Sequence, residues 1–375
     1  MKVSVSKEEM QKKLANIQNI VEKKNTKPVL SHFLLAAGKK TSFITATDID
    51  TALKEPIAVT VEKEGKICIP ARKMFEIVRE VEEDLFIETT DEQWLKVRSG
   101  ASEFRIACLP HSDFPAWPAS LGGGEIDELT IDAALLLEMI EKTLYSAGET
   151  DTRYTLNGLL FHPKPEQKVF TVVGTDGHRL AIIHRQFDTG LQKEKKIIVP
   201  RKAVSELRRF LATDGEESEP HRVTVTIGDK HLLFTIGTVQ FLTKLIEGSY
   251  PNYENVIPQS YEKKMAARRD TFAKVLRRVS VMSRERSSAV RIDLDKNKMT
   301  IFSSSPDLGE AKEEVAVDYQ GDPMTLGFNA RYLLDVLNAM TSETVTLELQ
   351  DPLSPVLLKE DGKEDYKCVI MPMRI

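Results

Sequence analysis

The chain repeats itself three times, and no other feature constrains the possible folds so strongly. Three stretches begin alike: IPARKMFEIVREV (69–81), VPRKAVSELRRFL (199–211) and FNARYLLDVLNAM (328–340). Each is a short apolar run, then Pro or Asn, then apolar residues three and four apart, the period of an amphipathic helix. Pro and Asn suit that place. The first helical turn leaves backbone N–H groups unpaired, and Pro lacks one while an Asn side chain caps one. Pro70, Pro200 and Asn329 lie 130 and 129 residues apart. FITATDID (43–50) and TVVGTDGHRL (171–180) keep step, with Asp48 and Asp176 separated by 128, and TIFSSSPDLGE (300–310) is a weaker third copy. FRIACLPHSDFPAWP (104–118), FLTKLIEGSYPNYENVIP (241–258) and DYKCVIMP (365–372) form a third set, its last member cut short by the chain end.

Each unit opens with a longer helical pattern, at 6–24, 132–147 and 269–283. Alternating or continuous apolar runs such as KVFTVVG, RVTVTIG, HLLFTIG and TVTLELQ read as strands between the helices. The expected class is α+β, with two helices and seven or eight short strands per unit. Gly122-Gly123-Gly124 and the stretch around Pro258-Gln259-Ser260 mark linkers, giving domains 1–124, 125–258 and 259–375. Three similar domains in a row make an arc, and two arcs joined head to tail close a ring without free ends.

The bulk numbers exclude several classes. Hydrophobic residues are 41% and charged residues 29%, the balance of an ordinary globular protein. No apolar run is long enough for a transmembrane helix, and MKVSVSKEEMQKK turns charged too soon for a signal peptide, so a cytoplasmic location is expected. Cys68, Cys108 and Cys368 are scattered in apolar runs, which argues for buried thiols and against a disulfide framework or zinc cluster. The net charge is −5, yet it is unevenly spread: windows over the six helical patterns, 7–24, 71–80, 132–147, 201–211, 268–284 and 329–340, sum to +9 and the remainder to −14. Basic helices lining a hole would attract phosphates without reading sequence, and no aromatic cluster accompanies them to stack bases.

The polar island Thr175-Asp176-Gly177-His178-Arg179-Leu180 is the one candidate for chemistry. Asp176 and His178 could exchange protons or hold a metal, but His32, His111, His162, His184, His221 and His231 add no ligand spacing. No phosphate loop, dinucleotide fingerprint or nucleophile elbow occurs. A tight turn explains the island better, with Asp176 accepting backbone N–H bonds and Gly177 at positive φ. No cofactor or metal is expected. The readings set against one another are a scaffold, an enzyme using Asp176 and His178, and a monomeric nucleic-acid-binding module. The apolar tail Val369-Ile370-Met371-Pro372-Met373-Arg374-Ile375 is either a last edge strand or the wall of a groove for partner peptides, since methionine adapts to several partners.

TDGHRLA (175–181), RYTLNGLLF (153–161), EGSYPNYENVIP (247–258) and the terminal MPMRI, in that order, resemble the bacterial sliding clamp family, the beta subunits of DNA polymerase III. The resemblance covers the whole chain. It implies a head-to-tail homodimer of six similar domains, helices inside and sheets outside, around double-stranded DNA. It implies no catalysis and no nucleotide bound by the clamp. A clamp loader, the replicative polymerase alpha subunit, other polymerases and repair proteins would dock by short peptides rich in Gln, Leu and Phe. By motif, the peptide groove would comprise Leu156, Thr175, Gly177, His178, Arg179 and Leu180, with Pro251 and Val256, Leu353 and Pro355. Val369, Ile370, Met371, Pro372, Met373 and Arg374 would complete it. Asn255 stands where some relatives carry a basic residue. The dimer contact would set Phe104 and Ile106 against Val281 and Met282. DNA contacts would come from Lys24, Arg201, Arg208, Arg209, Arg277 and Arg278.

Overall fold

The computed structural model describes residues 1–21, 27–91, 93–118, 120–213, 222–258, 261–283, 288–307 and 309–374. They form two compact units, Met1–Leu135 with Ser205–Leu245, and Leu136–Val204 with Ile246–Ile375. The middle repeat thus contributes to both, and edge pairing explains why. In the first unit, strand Val239–Lys244 of the middle repeat pairs antiparallel with Thr51–Pro56 of the first, Phe241 opposite Leu53, making an eight-stranded sheet. In the second, Arg179–Gln186 of the middle repeat pairs with Lys363–Ile370 of the last, Leu180 opposite Val369, within a nine-stranded sheet. Each join covers rows of backbone N–H and C=O groups that an open edge would expose. A five-stranded sheet in the first unit ends on Ser102–Ala107, and a four-stranded sheet in the second ends on Gly309–Ala316.

Among the described residues six α-helices fall two to a repeat: α1 (Lys7–Ile17), α2 (Ala71–Glu80), α3 (Ala133–Glu141), α4 (Arg201–Thr213), α5 (Arg269–Ser280) and α6 (Ala330–Ala339). The starts of α2, α4 and α6 follow Pro70, Pro200 and Asn329, and the Asn329 side chain accepts from Arg331 N at 2.9 Å. The opening helices are shorter than their patterns suggest. α1 is capped by Ser6, which accepts from Glu9 N, and ends where its buried stripe Met10, Leu14, Ile17 gives way to Gln18 and Asn19. A tighter turn there, Ile20 N to Ile17 O, accompanies a fully buried Ile20. α3 stops at Glu141, and two residues on the Thr143 hydroxyl bonds back to Met139 O at 2.7 Å and competes with the helical ladder. A 3-10 turn, Leu144–Ser146, follows.

The repeat is visible atom by atom in two turns. Thr47 Oγ1 donates to Thr51 O and accepts from Ile49 N, while Asp48 Oδ1 accepts from Asp50 N and Thr51 N. Thr175 and Asp176 do the same: Thr175 Oγ1 to Arg179 O (2.6 Å), Gly177 N to Thr175 Oγ1 (3.1 Å), and His178 N and Arg179 N to Asp176 Oδ1 (2.9 and 3.0 Å). The third residue of each turn has φ 83°, which Gly177 adopts freely and the β-branched Ile49 does not. Ile49 is also half exposed, so it gains little from packing. Ile49→Gly is expected to stabilise the first unit by about 1 kcal/mol, seen as a rise of a few degrees in its unfolding midpoint.

The three cysteines are free and buried. Burial pushes the thiols of Cys68 and Cys108 up to about 12 and that of Cys368 up to about 11, so all three stay protonated and unreactive at neutral pH.

Candidate functional site

The Asp176 turn is fastened chiefly by the Arg179 side chain. Arg179 donates to Asp176 Oδ2 (3.0 Å), Asp335 Oδ2 of α6 (2.6 Å) and Tyr145 O (2.5 Å). Its guanidinium lies 4.3 Å from the Tyr332 ring centroid. A charged planar group so fully engaged is an anchor that fixes the turn. Asp176, the supposed acid–base residue, spends its carboxylate on two backbone N–H groups and Arg179. It belongs to the turn that its sequence predicted.

The chain end is laced to that turn. The strand Lys363–Ile370 lies between Arg179–Gln186 and Val356–Glu360, with Val369 opposite both Leu180 and Leu357. Met371 N then donates to His178 O (2.9 Å) and Met373 N to Gly327 O (2.8 Å). Leu180 and Val369 are buried in a cluster with Leu160, Ile182, Tyr253 and Leu357, against which Ile246, Tyr250 and Ile257 pack. The motif residues therefore divide into floor and rim. Leu156, Thr175, Leu180, Val369 and Ile370 are buried, whereas Gly177, His178, Pro251, Val256, Leu353, Met371 and Arg374 are exposed; Arg179, Pro355, Pro372 and Met373 are half-buried. Val256, Leu353 and Met371 are apolar side chains left in water, at 39%, 61% and 37% exposure. All of these lie in the second unit.

Two further residues belong to this neighbourhood. Tyr154 is 60% exposed and its hydroxyl is within 3.2 Å of where a Cβ on Gly248 would stand. Arg153 donates to Asp176 O (3.1 Å) and fills the space a side chain at Gly177 would need. Its guanidinium holds the Asp151 carboxyl down at about 2. Both sit inside the RYTLNGLLF motif. No sequence signal separates Tyr154 from its neighbours, since its exposure is a property of the fold.

The basic residues are engaged to different degrees. Arg201, at the start of α4, donates to Leu144 O, Ala147 O and Glu149, and Arg269, at the start of α5, likewise donates to Leu337 O and Ser342 O. Such arginines satisfy carbonyls at the end of a neighbouring helix. Arg209 donates to Ala15 O and Asn16 O at the end of α1 and pairs with Glu206. Arg277 bonds Asn338, and Arg278 pairs with Glu313. Arg208 is exposed and pairs with no described residue. Lys24 lies outside the described residues. Among those described, no group of His, Cys, Asp and Glu is arranged to hold a metal ion, and no helix is long and apolar enough to cross a membrane.

Three family signatures match in succession. They are the N-terminal domain of the DNA polymerase III beta subunit over residues 1–118, its central domain over 130–252 and its C-terminal domain over 254–374. The chain belongs to the DNA polymerase III beta-subunit family, the beta sliding clamps. The beta sliding clamp of Pseudomonas putida is 35% identical over 377 residues, and that of Escherichia coli 34% over 381, each match covering 100% of both chains. Among solved structures, a sliding clamp of Bartonella birtlesii bound to griselimycin superposes with a TM-score of 0.93 at 31% identity, and a Pseudomonas aeruginosa beta subunit with 0.91 at 32%, again covering 100% of both chains. This is a non-catalytic family of clamps, which agrees with an Asp176 wholly occupied in holding a turn.

Proposed function

We propose that two copies of this chain join head to tail around duplex DNA and hold the replicative polymerase, the clamp loader and repair proteins there, in the cytoplasm. The observation that carries this reading is the pattern of sheet joins. Thr51–Pro56 is covered by Val239–Lys244, and Arg179–Gln186 by Lys363–Ile370. The equivalent strand of the third repeat, Gly309–Ala316, and the equivalent covering strand of the first, Ser102–Ala107, are both left as sheet edges. A second copy supplies the missing partner for each, and the same join made twice closes a ring. Phe104 and Ile106 lie on that open strand, and Val281, 73% exposed after the end of α5, leaves an apolar side chain for the partner to cover.

A ring holds DNA by topology, so its helices need only weak, sequence-independent attraction to phosphates. Arg208, exposed and paired with no described residue, is best suited to give it; Arg277 and Arg278 add charge from α5, and the resemblance adds Lys24. Arg201 and Arg209, held to carbonyls at helix ends, add positive charge there rather than direct contacts. Proteins docked through peptides at the rim of Val256, Leu353, Met371 and His178 gain from tethering close to the template.

The test is retention on closed circular DNA after loading. The protein should remain on circles and leave once they are linearised, whatever the sequence. Equal loss from both would overturn the ring. In the same preparation Val281→Asp should raise the dimer dissociation constant by about tenfold or more, measured by sedimentation. An unchanged dimer would remove the end of α5 from the interface.

A further inference from the structure

One face of the nine-stranded sheet carries a cavity of about 520 Å³ that nothing above explains. Five neighbouring strands build its floor, and their register is informative. Lys367 stands opposite both Ile182 and Lys359, Leu357 opposite Glu348, and Glu348 opposite Lys264. Alternation along a strand puts Leu180 and Ile182, and likewise Val369 and Lys367, on one face. The cavity is therefore the next step along the surface that begins with Leu180, Val369 and Leu357. It lies about 7 Å on, two residues of strand. Tyr253, Ile257 and Tyr261 complete its lining.

Its charge is unbalanced. Lys264, Lys359 and Lys367 line it against Glu348 and Glu254. Glu254 is engaged by Lys164 at 2.7 Å. Glu348 serves both Lys264 (3.2 Å) and Lys359 (3.3 Å), and Lys359 also meets the exposed Glu364 (3.4 Å), so the lysine left over is Lys367. Lys367 stands opposite Lys359 across the strands but, unlike it, makes no hydrogen bond or ion pair with a described residue, so its charge is the one left without a counter-ion. The Tyr261 hydroxyl is buried and bonds to no described residue. Burial and the Glu348 carboxylate push its ionisation up, so it remains a donor. An unsatisfied buried donor is costly and calls for an acceptor. His184, on the same face, is pulled down to about 4 by burial and by Lys164 and Lys367, so it adds no charge of its own near neutral pH.

We propose that this cavity is a carboxylate subsite, in which Lys367, Lys359 and the Tyr261 hydroxyl receive an acidic side chain that flanks the apolar anchors of a docked partner peptide. This rests on the groove reading above. It would make the chain favour peptides with Asp or Glu beside the Gln-Leu-Phe type core.

The experiment is fluorescence polarisation with the intact protein and three peptides. One is the plain Gln-Leu-Ser-Leu-Phe core, and the others carry two Glu residues after a short spacer, at the N-terminal or the C-terminal end. One acidic extension should tighten binding roughly tenfold. K367Q/K359Q should erase that gain while binding the plain core as the parent does, and Y261F should remove part of it. An equal gain in K367Q/K359Q, or no gain at either end, would overturn the subsite and leave the groove standing. Absence of binding by the plain core would overturn the groove and this extension of it together. Free glutarate competing away only the gain would support the subsite, and inorganic phosphate matching glutarate in that competition would overturn its assignment to carboxylates.

Discussion

A chain lacking residues 371–375 is expected to fold and yet to lose peptide binding by at least about a hundredfold. The reason is the division between floor and rim. Val369 and Ile370 are strand residues, buried and paired on both sides with Arg179–Gln186 and Val356–Glu360. They stay. What goes is Met371, Pro372, Met373 and Arg374, whose ties to the body among the backbone bonds are Met371 N to His178 O and Met373 N to Gly327 O. Two hydrogen bonds near the surface are worth about 1 kcal/mol each, so unfolding should shift only slightly. The apolar wall above Leu180 disappears, however, and peptide affinity rests on a few such anchors. Polarisation with a labelled Gln-Leu-Ser-Leu-Phe peptide, alongside thermal unfolding, reads both. Unchanged affinity in the truncated chain would move the peptide site away from the terminal strand.

The repeat was legible because turn chemistry is local. Thr47-Asp48 and Thr175-Asp176 each specify their own hydrogen bonds, and Pro70, Pro200 and Asn329 each start a helix whatever surrounds them. The joins between repeats were not legible. Whether Val239–Lys244 lies beside Thr51–Pro56 or beside solvent depends on partners nearly two hundred positions away, and both cases leave the same alternating pattern. The lengths of α1 and α3 failed for a similar reason. The apolar spacing continues past Ile17 and past Glu141, but a tightened turn at Ile20 and the Thr143 back-bond end the helices. Charge counts also misled in part. Arg201, Arg209 and Arg269 raise the positive sum of the helices, yet much of their bonding goes to backbone carbonyls. Tyr154 went unnoticed within its motif because exposure, not residue type, is what distinguishes it.

The largest stability effect is expected at Glu360, which no motif indicated. It is 2% exposed and accepts from Lys142 Nζ (2.5 Å), Lys363 Nζ (3.0 Å), Thr341 N and Ser342 N (both 2.9 Å) and Thr341 Oγ1 (3.0 Å). Lys142 is itself buried, 4.3 Å from the centroid of the Tyr366 ring, and its carbonyl accepts from the Tyr366 hydroxyl, which meets that of Tyr145 at 3.0 Å. Tyr145 O in turn holds Arg179. One polar network thus runs from this carboxylate to the anchored turn. Burial alone would raise the Glu360 carboxyl, but the bonds from Lys142, Thr341 N and Lys363 outweigh it and bring it down to about 2. Removing the charge strands Lys142, so Glu360→Gln should cost about 3–5 kcal/mol and lower the unfolding midpoint by about 10 °C. Lys142→Met should cost less, because Glu360 keeps its other donors. The sign with pH follows from the lowered value. The contribution is complete above about 4.5, the unfolded carboxyl, and is lost as pH falls from there towards 2, at about 1.4 kcal/mol per unit. The gap between parent and Glu360→Gln, followed by denaturant unfolding from pH 7 down to pH 3, should therefore hold constant to about pH 4.5 and then narrow. A gap that stays constant from pH 7 down to pH 3 would mean that the Glu360 carboxyl titrates alike in the folded and the unfolded chain, and that its charge adds no net stability.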